Sequence, residues 1–166
     1  MFWCIETLFL ELDGVEKVVS GYEGGSTEEP TYKQICTGTT GHAEVIEVTF
    51  NSDEISFKKL LEVFWSVHDP TTVNRQGNDV GTQYRSVVFY HSQKQQEQAN
   101  LYKKELDKAG VFSNPIVTEI SEASTFYPAE DYHQDYYNNN TGQPYCQFVI
   151  APKVDKFRKA FAKDLK

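Results

Sequence analysis

The chain has 166 residues, of which 39% are hydrophobic, 14% are aromatic and 24% are charged. This length fits one domain, residues 1–166, and the apolar content is sufficient for a hydrophobic core, so a disordered chain is excluded. With 24 acidic and 16 basic residues the net charge is −8, which excludes nucleic acid and anionic membrane surfaces as expected partners.

Two apolar patterns alternate along the chain. Spacings of three and four residues are typical of one face of an α-helix, whereas alternation and β-branched runs are typical of strands. In chain order they predict a helix over 5–12, strands over 15–20 and 43–50, a helix from 57 that ends before Asp69-Pro70, a strand over 85–91, a helix between Ser92 and Gly110, strands over 117–120 and 148–151, and a helix over 154–164.

The alternation of helices and strands predicts an α/β (or α+β) two-layer sandwich. The long helix is expected to begin with a capping box, because Ser92 and Gln95 have the required spacing, and to end at Gly110. Segments 66–84 and 121–147 are long, polar and aromatic, without a clear period. Loops of this length are usually functional or disordered, and the many tyrosines favour ordered loops.

Compartment and cofactors are predicted mainly from missing patterns. No stretch has the roughly 20 apolar residues of a membrane span, the first residues do not resemble a signal peptide, and three cysteines do not make a disulfide framework. The sequence also lacks a phosphate-binding glycine loop, zinc-ligand spacing and a C-x-x-C pair. We therefore predict a cytoplasmic domain with no bound cofactor and no metal site.

Glu44 follows a turn rich in Gly and Thr and begins a predicted strand. Alternation places its side chain on the same face as Ile46, Val48 and Phe50. If this face is buried, the lone carboxyl has a raised pKa and stays protonated near neutral pH, as a general acid requires. The alternative is a glutamate at a strand end that faces water.

Aromatic residues supply the other candidates. Phe2 and Trp3 precede the first helical stripe, where they either form the wall of a small apolar pocket or anchor the helix in the core. Tyr32 lies beside turn residues, and Tyr84 ends a polar loop that also contains Asp79. Tyrosine hydroxyls are neutral donors toward a polarised oxygen, so two of them with a protonated carboxyl group would form an oxyanion-type site if they converge.

Six motifs follow one another in these segments. They are Phe2-Trp3-Cys4-x-Glu6, Ser20-Gly21-Tyr22-x-Gly24-Gly25, Pro30-Thr31-Tyr32, Thr37-Gly38-x-Thr40-Gly41-His42-Ala43-Glu44, Gly77-x-Asp79-x-Gly81-x-Gln83-Tyr84-Arg85-Ser86, and Phe126-Tyr127-Pro128-Ala129-Glu130-x-Tyr132-His133-Gln134. In this order they resemble the peptide methionine sulfoxide reductase A family. The similarity runs from residue 2 to about residue 153, which is nearly the whole chain.

The resemblance implies a two-layer α/β sandwich with a ferredoxin-like core and long ordered loops. It also implies an enzyme that reduces the S epimer of methionine sulfoxide, free or in oxidised proteins, through a sulfenic-type intermediate. The roles carried over are a methyl pocket of Phe2 and Trp3, a proton donor Glu44, hydrogen bonds to the sulfoxide oxygen from Tyr32 and Tyr84, and a water oriented by Asp79.

The nucleophile is the main departure from the family pattern. The family has a cysteine directly before the phenylalanine, where this sequence has Met1. A thioether does not ionise to a nucleophile, so a chain with Met1 is predicted to be impaired, and a natural cysteine or selenocysteine at this position is the hypothesis. Cys4 and Cys36 are the candidate resolving thiols, and Cys146 is expected to be a small buried hydrophobe. Without a resolving thiol, thioredoxin, or glutathione with glutaredoxin, has to reduce the sulfenic acid.

Two further functions stay open at this point. A domain with Met1 is also compatible with a non-catalytic protein that binds methionine sulfoxide. A generic thiol oxidoreductase that uses Cys4 is the third possibility. Turnover of a methyl sulfoxide with dithiothreitol distinguishes them, because only the reductase gains it when the nucleophile is restored.

Overall fold

The computed structural model describes residues 2–166, and Met1 lies outside the described residues. The helices and strands, in chain order, are α1 (Phe2–Leu10), β1 (Val15–Glu23), α2 (Tyr32–Cys36), β2 (Ala43–Phe50), α3 (Phe57–Val67), β3 (Arg75–Gln76), β4 (Asp79–Val80), β5 (Val87–Tyr90), α4 (Gln93–Ala109), β6 (Glu119–Glu122), β7 (Tyr127–Pro128), α5 (Tyr136–Asn139) and α6 (Ala151–Ala160). Single 3₁₀ turns span Thr82–Tyr84, Asp131–His133 and Ala162–Asp164.

The strands form three small sheets with helices packed against two of them. β1 lies between β2 and β7, antiparallel to both. β5 and β6 pair in parallel, and β3 and β4 form a short antiparallel ladder. Helix α1 packs on β1 and β2, whereas α4 packs on α3 and on the β5–β6 pair. This mixture of layers confirms the α/β class that the sequence predicts.

The main hydrophobic core surrounds α1, which is buried almost all round. Leu8 and Leu12 are 1% and 0% exposed and pack with Val63 of α3 and Ile150 before α6. Burial of each such side chain stabilises the fold by about 1.5–3 kcal/mol. The carboxylate of Glu6 is also buried in α1, where it accepts hydrogen bonds from Ser20 Oγ and from the Asp135 backbone N–H. These contacts hold the N-terminal turn of α1 in place against β1.

Several predicted elements are confirmed to within a residue or two. β2 has the predicted bounds, and α4 lies between Ser92 and Gly110, the latter in the left-handed conformation with φ of 65°. The capping box is only half formed. Ser92 Oγ accepts a hydrogen bond from Gln95 N at 3.2 Å, but Gln95 Oε1 accepts one from His91 N instead of Ser92 N.

The predicted strand over 148–151 is wrong. Residues Cys146–Ile150 form a π-helical turn that continues into α6. The β-branched and aromatic run Phe-Val-Ile favours a strand locally. However, a helical stripe spaced by four, four and three residues is buried here, and its packing in the core overrides the local preference: Cys146, Ile150, Val154 and Phe157.

Other boundaries shift without changing the type of element. α1 begins at Phe2, three residues before the predicted start, and the strand predicted over 117–120 lies at Glu119–Glu122. α6 begins three residues early and ends at Ala160, where the 3₁₀ turn follows. Within residues 2–166, no helix combines the length and apolar character that crossing a bilayer requires.

Candidate active site

The predicted site residues lie on five separate elements around the N-terminal end of α1. Phe2 and Trp3 are in its first turn, and Glu44 is the second residue of β2. Tyr32 begins α2, where a capping box between Thr31 and Gln34 fixes the helix start. Tyr84 lies in the 3₁₀ turn before β5, and Asp79 is in β4. The chain reaches β2 through Gly38 and Gly41, with φ of 72° and 77°, a conformation that glycine adopts without strain.

Glu44 is half-buried as a residue, and its carboxyl group has an incomplete set of partners. It lies opposite Tyr22 in the β1–β2 ladder, and its Oε2 is buried without a hydrogen-bond partner among the described residues. Burial raises the pKa of Glu44 to about 7. The negative charge of Asp79 contributes to this rise, and a hydrogen bond from the Phe2 backbone N–H opposes it. Of the two alternatives for Glu44, the structure therefore favours the buried carboxyl, which is about half protonated at pH 7 because its pKa is about 7.

Two tyrosine hydroxyls lie in the electrostatic field of this carboxyl. Burial raises the pKa of Tyr84 to about 12, with Glu44 and Asp79 acting in the same direction. Burial likewise raises the pKa of Tyr32, together with the Cys36 thiol and Glu44. Both hydroxyls consequently keep their protons at neutral pH and remain hydrogen-bond donors.

An aromatic wall adjoins this polar group. Phe2 is 2% exposed and lines the same cavity of about 210 Å³ as Glu44 and Tyr84, between β2 and β5. Trp3 is half-buried and stacks on Tyr136, with ring centroids 3.8 Å apart and planes 9° from parallel. Phe2 also packs in a small core cluster with Tyr22. Phe2 therefore packs in the core and also lines the cavity, whereas the contacts of Trp3 are packing contacts and Trp3 is not among the residues that line that cavity.

Sequence reasoning missed three further residues of this site. The carboxylate of Glu130 accepts hydrogen bonds from the Tyr32 backbone N–H at 3.0 Å and from the Tyr22 hydroxyl at 3.1 Å. His133 accepts a hydrogen bond from the Trp3 indole, at 3.0 Å. Glu130 and His133 both lie in the last of the six motifs, which marks the segment as part of the family pattern but does not indicate what these two residues do. Tyr145, whose hydroxyl pKa is raised by burial, Asp79 and Cys4 among other neighbours, had no signal at all.

Comparisons with known proteins agree with this arrangement. The family model described as peptide methionine sulfoxide reductase matches residues 1–165. The chain belongs to the peptide methionine sulfoxide reductase family. A curated relative, peptide methionine sulfoxide reductase MsrA of Natronomonas pharaonis, is 54% identical over 161 residues, which are 97% of this chain and 90% of the relative.

Solved structures of the family show the same fold. Mxr1 from Saccharomyces cerevisiae in reduced form superposes with a TM-score of 0.81 at 36% identity, over 87% of this chain and 83% of Mxr1. Mxr1 in complex with Trx2 superposes with a TM-score of 0.57 at 28% identity, over 81% of this chain and 77% of that one. The reductase thus catalyses reduction of methionine sulfoxide, and the alternatives of a non-catalytic binder and a Cys4 oxidoreductase are not favoured.

The three cysteines of the reductase differ in accessibility. Cys4 is buried and its pKa is raised by that burial, whereas Cys36 is exposed at the C-terminal end of α2, beside Tyr32. Cys146 is fully buried in the core, as expected. Among residues 2–166, no group of three or more His, Cys, Asp or Glu side chains is arranged to hold a metal ion.

Proposed function

We propose that the reductase acts on the S epimer of methionine sulfoxide and that Glu44 donates the proton to its oxygen. The observation that carries this proposal is the buried, unpartnered Oε2 of a carboxyl group whose pKa lies near 7. Such a group is protonated in a large fraction of molecules at neutral pH and still gives up its proton readily, which suits a general acid.

The two sides of the site match the two sides of the substrate. A methyl sulfoxide carries a small apolar methyl group beside a strongly polarised S–O bond. The rings of Phe2 and Trp3 bind the methyl group, and the hydroxyls of Tyr32 and Tyr84 donate hydrogen bonds to the oxygen. Asp79 orients a water molecule next to them. Recognition of one epimer follows, because exchanging methyl and oxygen would place the dipole against the aromatic wall.

The redox step transfers the oxygen to a nucleophile at position 1. A thiolate or selenolate attacks the sulfoxide sulfur while Glu44 protonates the oxygen. The resulting hydroxyl group passes from the substrate sulfur to the nucleophile, the bond between the nucleophile and the substrate sulfur breaks, and methionine leaves. The substrate sulfur is reduced by two electrons and the nucleophile is oxidised to a sulfenic or selenenic acid. Met1 cannot supply this nucleophile, so we propose that cysteine or selenocysteine occupies position 1 in the active protein.

A second thiol then regenerates the enzyme. We propose Cys36 as the resolving residue in preference to Cys4, because Cys36 is exposed and Cys4 is buried with a raised pKa. Mxr1 has been captured with a thioredoxin, Trx2, which supports thioredoxin as the final reductant here, with glutaredoxin and glutathione as the other candidate. We also propose a cytoplasmic location, because three cysteines spread over 166 residues do not fit the disulfide framework of a small secreted domain.

Restoring the nucleophile tests this function. We expect a Met1→Cys variant, extended by Met-Gly, to reduce N-acetylmethionine S-sulfoxide with dithiothreitol and to leave the R epimer unchanged. Absence of turnover in a folded variant that still binds the S epimer would support a binding protein. Thiol exchange that is lost in Cys4→Ser would support the Cys4 oxidoreductase instead.

A further inference from the structure

His133 occupies the junction between the aromatic wall and the polar half of the site. The residue is 0% exposed. The centroid of its ring lies 5.3 Å from that of Phe2, 5.6 Å from that of Trp3 and 4.5 Å from that of Tyr32. On the outer side it packs against the exposed Tyr132, with ring centroids 4.1 Å apart. One imidazole therefore touches residues proposed for both methyl and oxygen binding.

The hydrogen bond between His133 and Trp3 fixes the protonation state of the imidazole. The indole Nε1–H is a donor only, so His133 Nδ1, 3.0 Å away, has to be the acceptor and carries no hydrogen. The hydrogen of the neutral ring then lies on Nε2, which is buried and has no partner in the described part of the chain. The hydrogen bond that the imidazole makes is therefore the one that it accepts from Trp3.

The backbone around His133 is held independently of Trp3. The side chain of Gln134 accepts a hydrogen bond from Ser20 N and donates one to Ser20 O, both at 2.9 Å, so the segment is tied to β1. At the other end of the 3₁₀ turn, Glu130 binds the Tyr32 backbone N–H. Because both ends are anchored, the imidazole is the fixed partner of this hydrogen bond. It holds the edge of the half-buried indole, whose face is stacked on Tyr136.

We propose that neutral His133 is a positioning residue that holds the Trp3 indole in place for the substrate methyl group. This inference rests on the proposed function of the aromatic wall. Protonation would place a hydrogen on Nδ1 directly against the indole N–H, and the bond would be lost. Acid pH should therefore release Trp3 and weaken substrate binding.

The groups that face His133 decide how easily it is protonated. Burial lowers the pKa of His133, and the nearby Glu130 carboxylate opposes this by favouring the charged ring. Tyr32 and Tyr132 also face the ring and remain neutral in this range, since their pKa values are raised. The hydrogen bond between Trp3 and His133 should accordingly be present at neutral pH and be lost only at acid pH.

Indole N–H signals in a ¹H–¹⁵N NMR spectrum test this directly. The chain has two tryptophans, and Trp65 donates to Thr118 Oγ1 at 3.0 Å in a separate buried cluster, so its signal is an internal control. In His133→Leu we expect the Trp3 signal to move and that of Trp65 to stay. Binding of N-acetylmethionine S-sulfoxide should weaken by about 3- to 10-fold, the usual value of one hydrogen bond.

A conservative variant separates positioning from packing. His133→Gln retains an acceptor oxygen but does not titrate, so it should keep the Trp3 signal and most of the binding, while losing the acid-induced change of both. His91→Gln, at an exposed histidine, should behave like the parent protein. The proposal is overturned if the parent's Trp3 signal does not respond to acid, or if His133→Gln binds as weakly as His133→Leu. Failure of the parent protein to bind the sulfoxide would refute the proposed function instead, because the NMR signals report on Trp3 without substrate.

Discussion

Glu44→Gln keeps the size of a buried side chain and removes its titration, so it reveals what burial of this carboxyl costs the fold. The pKa of Glu44 is raised from 4.5 to about 7. The folded protein therefore holds this proton more tightly than the unfolded chain does. Stability from this group is fully present below pH 4.5 and is lost as the pH rises toward and through 7.

The size of the loss follows from the two pKa values. Each pKa unit corresponds to about 1.4 kcal/mol. Linkage then predicts that the free energy of unfolding falls by about 2 kcal/mol at pH 6 and by about 3 kcal/mol at pH 8, relative to its value below pH 4. Glutamine does not titrate, so the variant should gain this amount over the parent protein as the pH rises from 4 to 8.

Urea unfolding at pH 4, 6 and 8 measures the difference. Glu47→Gln is the matched control, because Glu47 is exposed on the same strand. It separates the effect of the Glu44 carboxyl from that of removing one negative charge from this strand. If Glu44→Gln and the parent protein instead show parallel pH dependences, Glu44 titrates as an ordinary surface carboxyl and the buried-acid account fails.

The same substitution should slow the chemistry. In the Met1→Cys background, the rate of sulfenic-acid formation in a single turnover is expected to fall by about 10²–10⁴-fold, the usual contribution of a general acid. The rate of the parent should fall as the pH rises through about 7, because Glu44 loses its proton there. This fall should be absent in the variant. A single-turnover rate within about threefold of the parent, well short of that range, would show that the proton comes from Tyr32 or Tyr84.

Three other substitutions probe the wall, a close backbone approach and the resolving thiol. Trp3→Ala should weaken S-sulfoxide binding roughly fivefold in calorimetric titrations, the value of one buried methyl contact. If the variant instead loses free energy of unfolding and keeps its affinity for the sulfoxide, Trp3 has a packing role. Gly25→Ala should lower the free energy of unfolding strongly, because the new Cβ would lie 2.3 Å from His42 N and backbone there cannot move aside; Gly142→Ala, with nothing within 4 Å, is its control. In the Met1→Cys protein, Cys36→Ser should abolish the disulfide formed after one turnover, detected by peptide mass, whereas Cys4→Ser should retain it.

The fold was predictable where one pattern acted alone. β2 alternates cleanly and α4 has both a cap and a terminal glycine, so their bounds could be read from the sequence. The segment at 146–150 could not, because its strand-like residues compete with a helical stripe whose weight comes from packing against α1 and α3. Short β3 and β4 lie in a loop where two-residue strands leave no period to detect.

The chemical groups of the site could be predicted from the sequence, but the residues that hold them in place could not. Glu44 was a candidate because a lone carboxyl begins an apolar strand, but only the structure shows that its Oε2 is buried without a partner. Glu130 and His133 act through contacts across about a hundred residues or more of sequence, to Tyr32 and Trp3. Such contacts depend on how β1, β7 and α1 pack, which spacing along the chain does not encode.

The pKa of Glu44 itself tests the central claim most directly. The carboxyl ¹³C signal of Glu44 can be followed by NMR against pH, with and without N-acetylmethionine S-sulfoxide, in the chain as it stands. We expect a pKa of about 7 in the free protein and a higher value in the complex, because the sulfoxide oxygen accepts a hydrogen bond from the protonated carboxyl. A pKa near 4.5, or one that the sulfoxide leaves unchanged, would contradict the assignment of Glu44 as the proton donor.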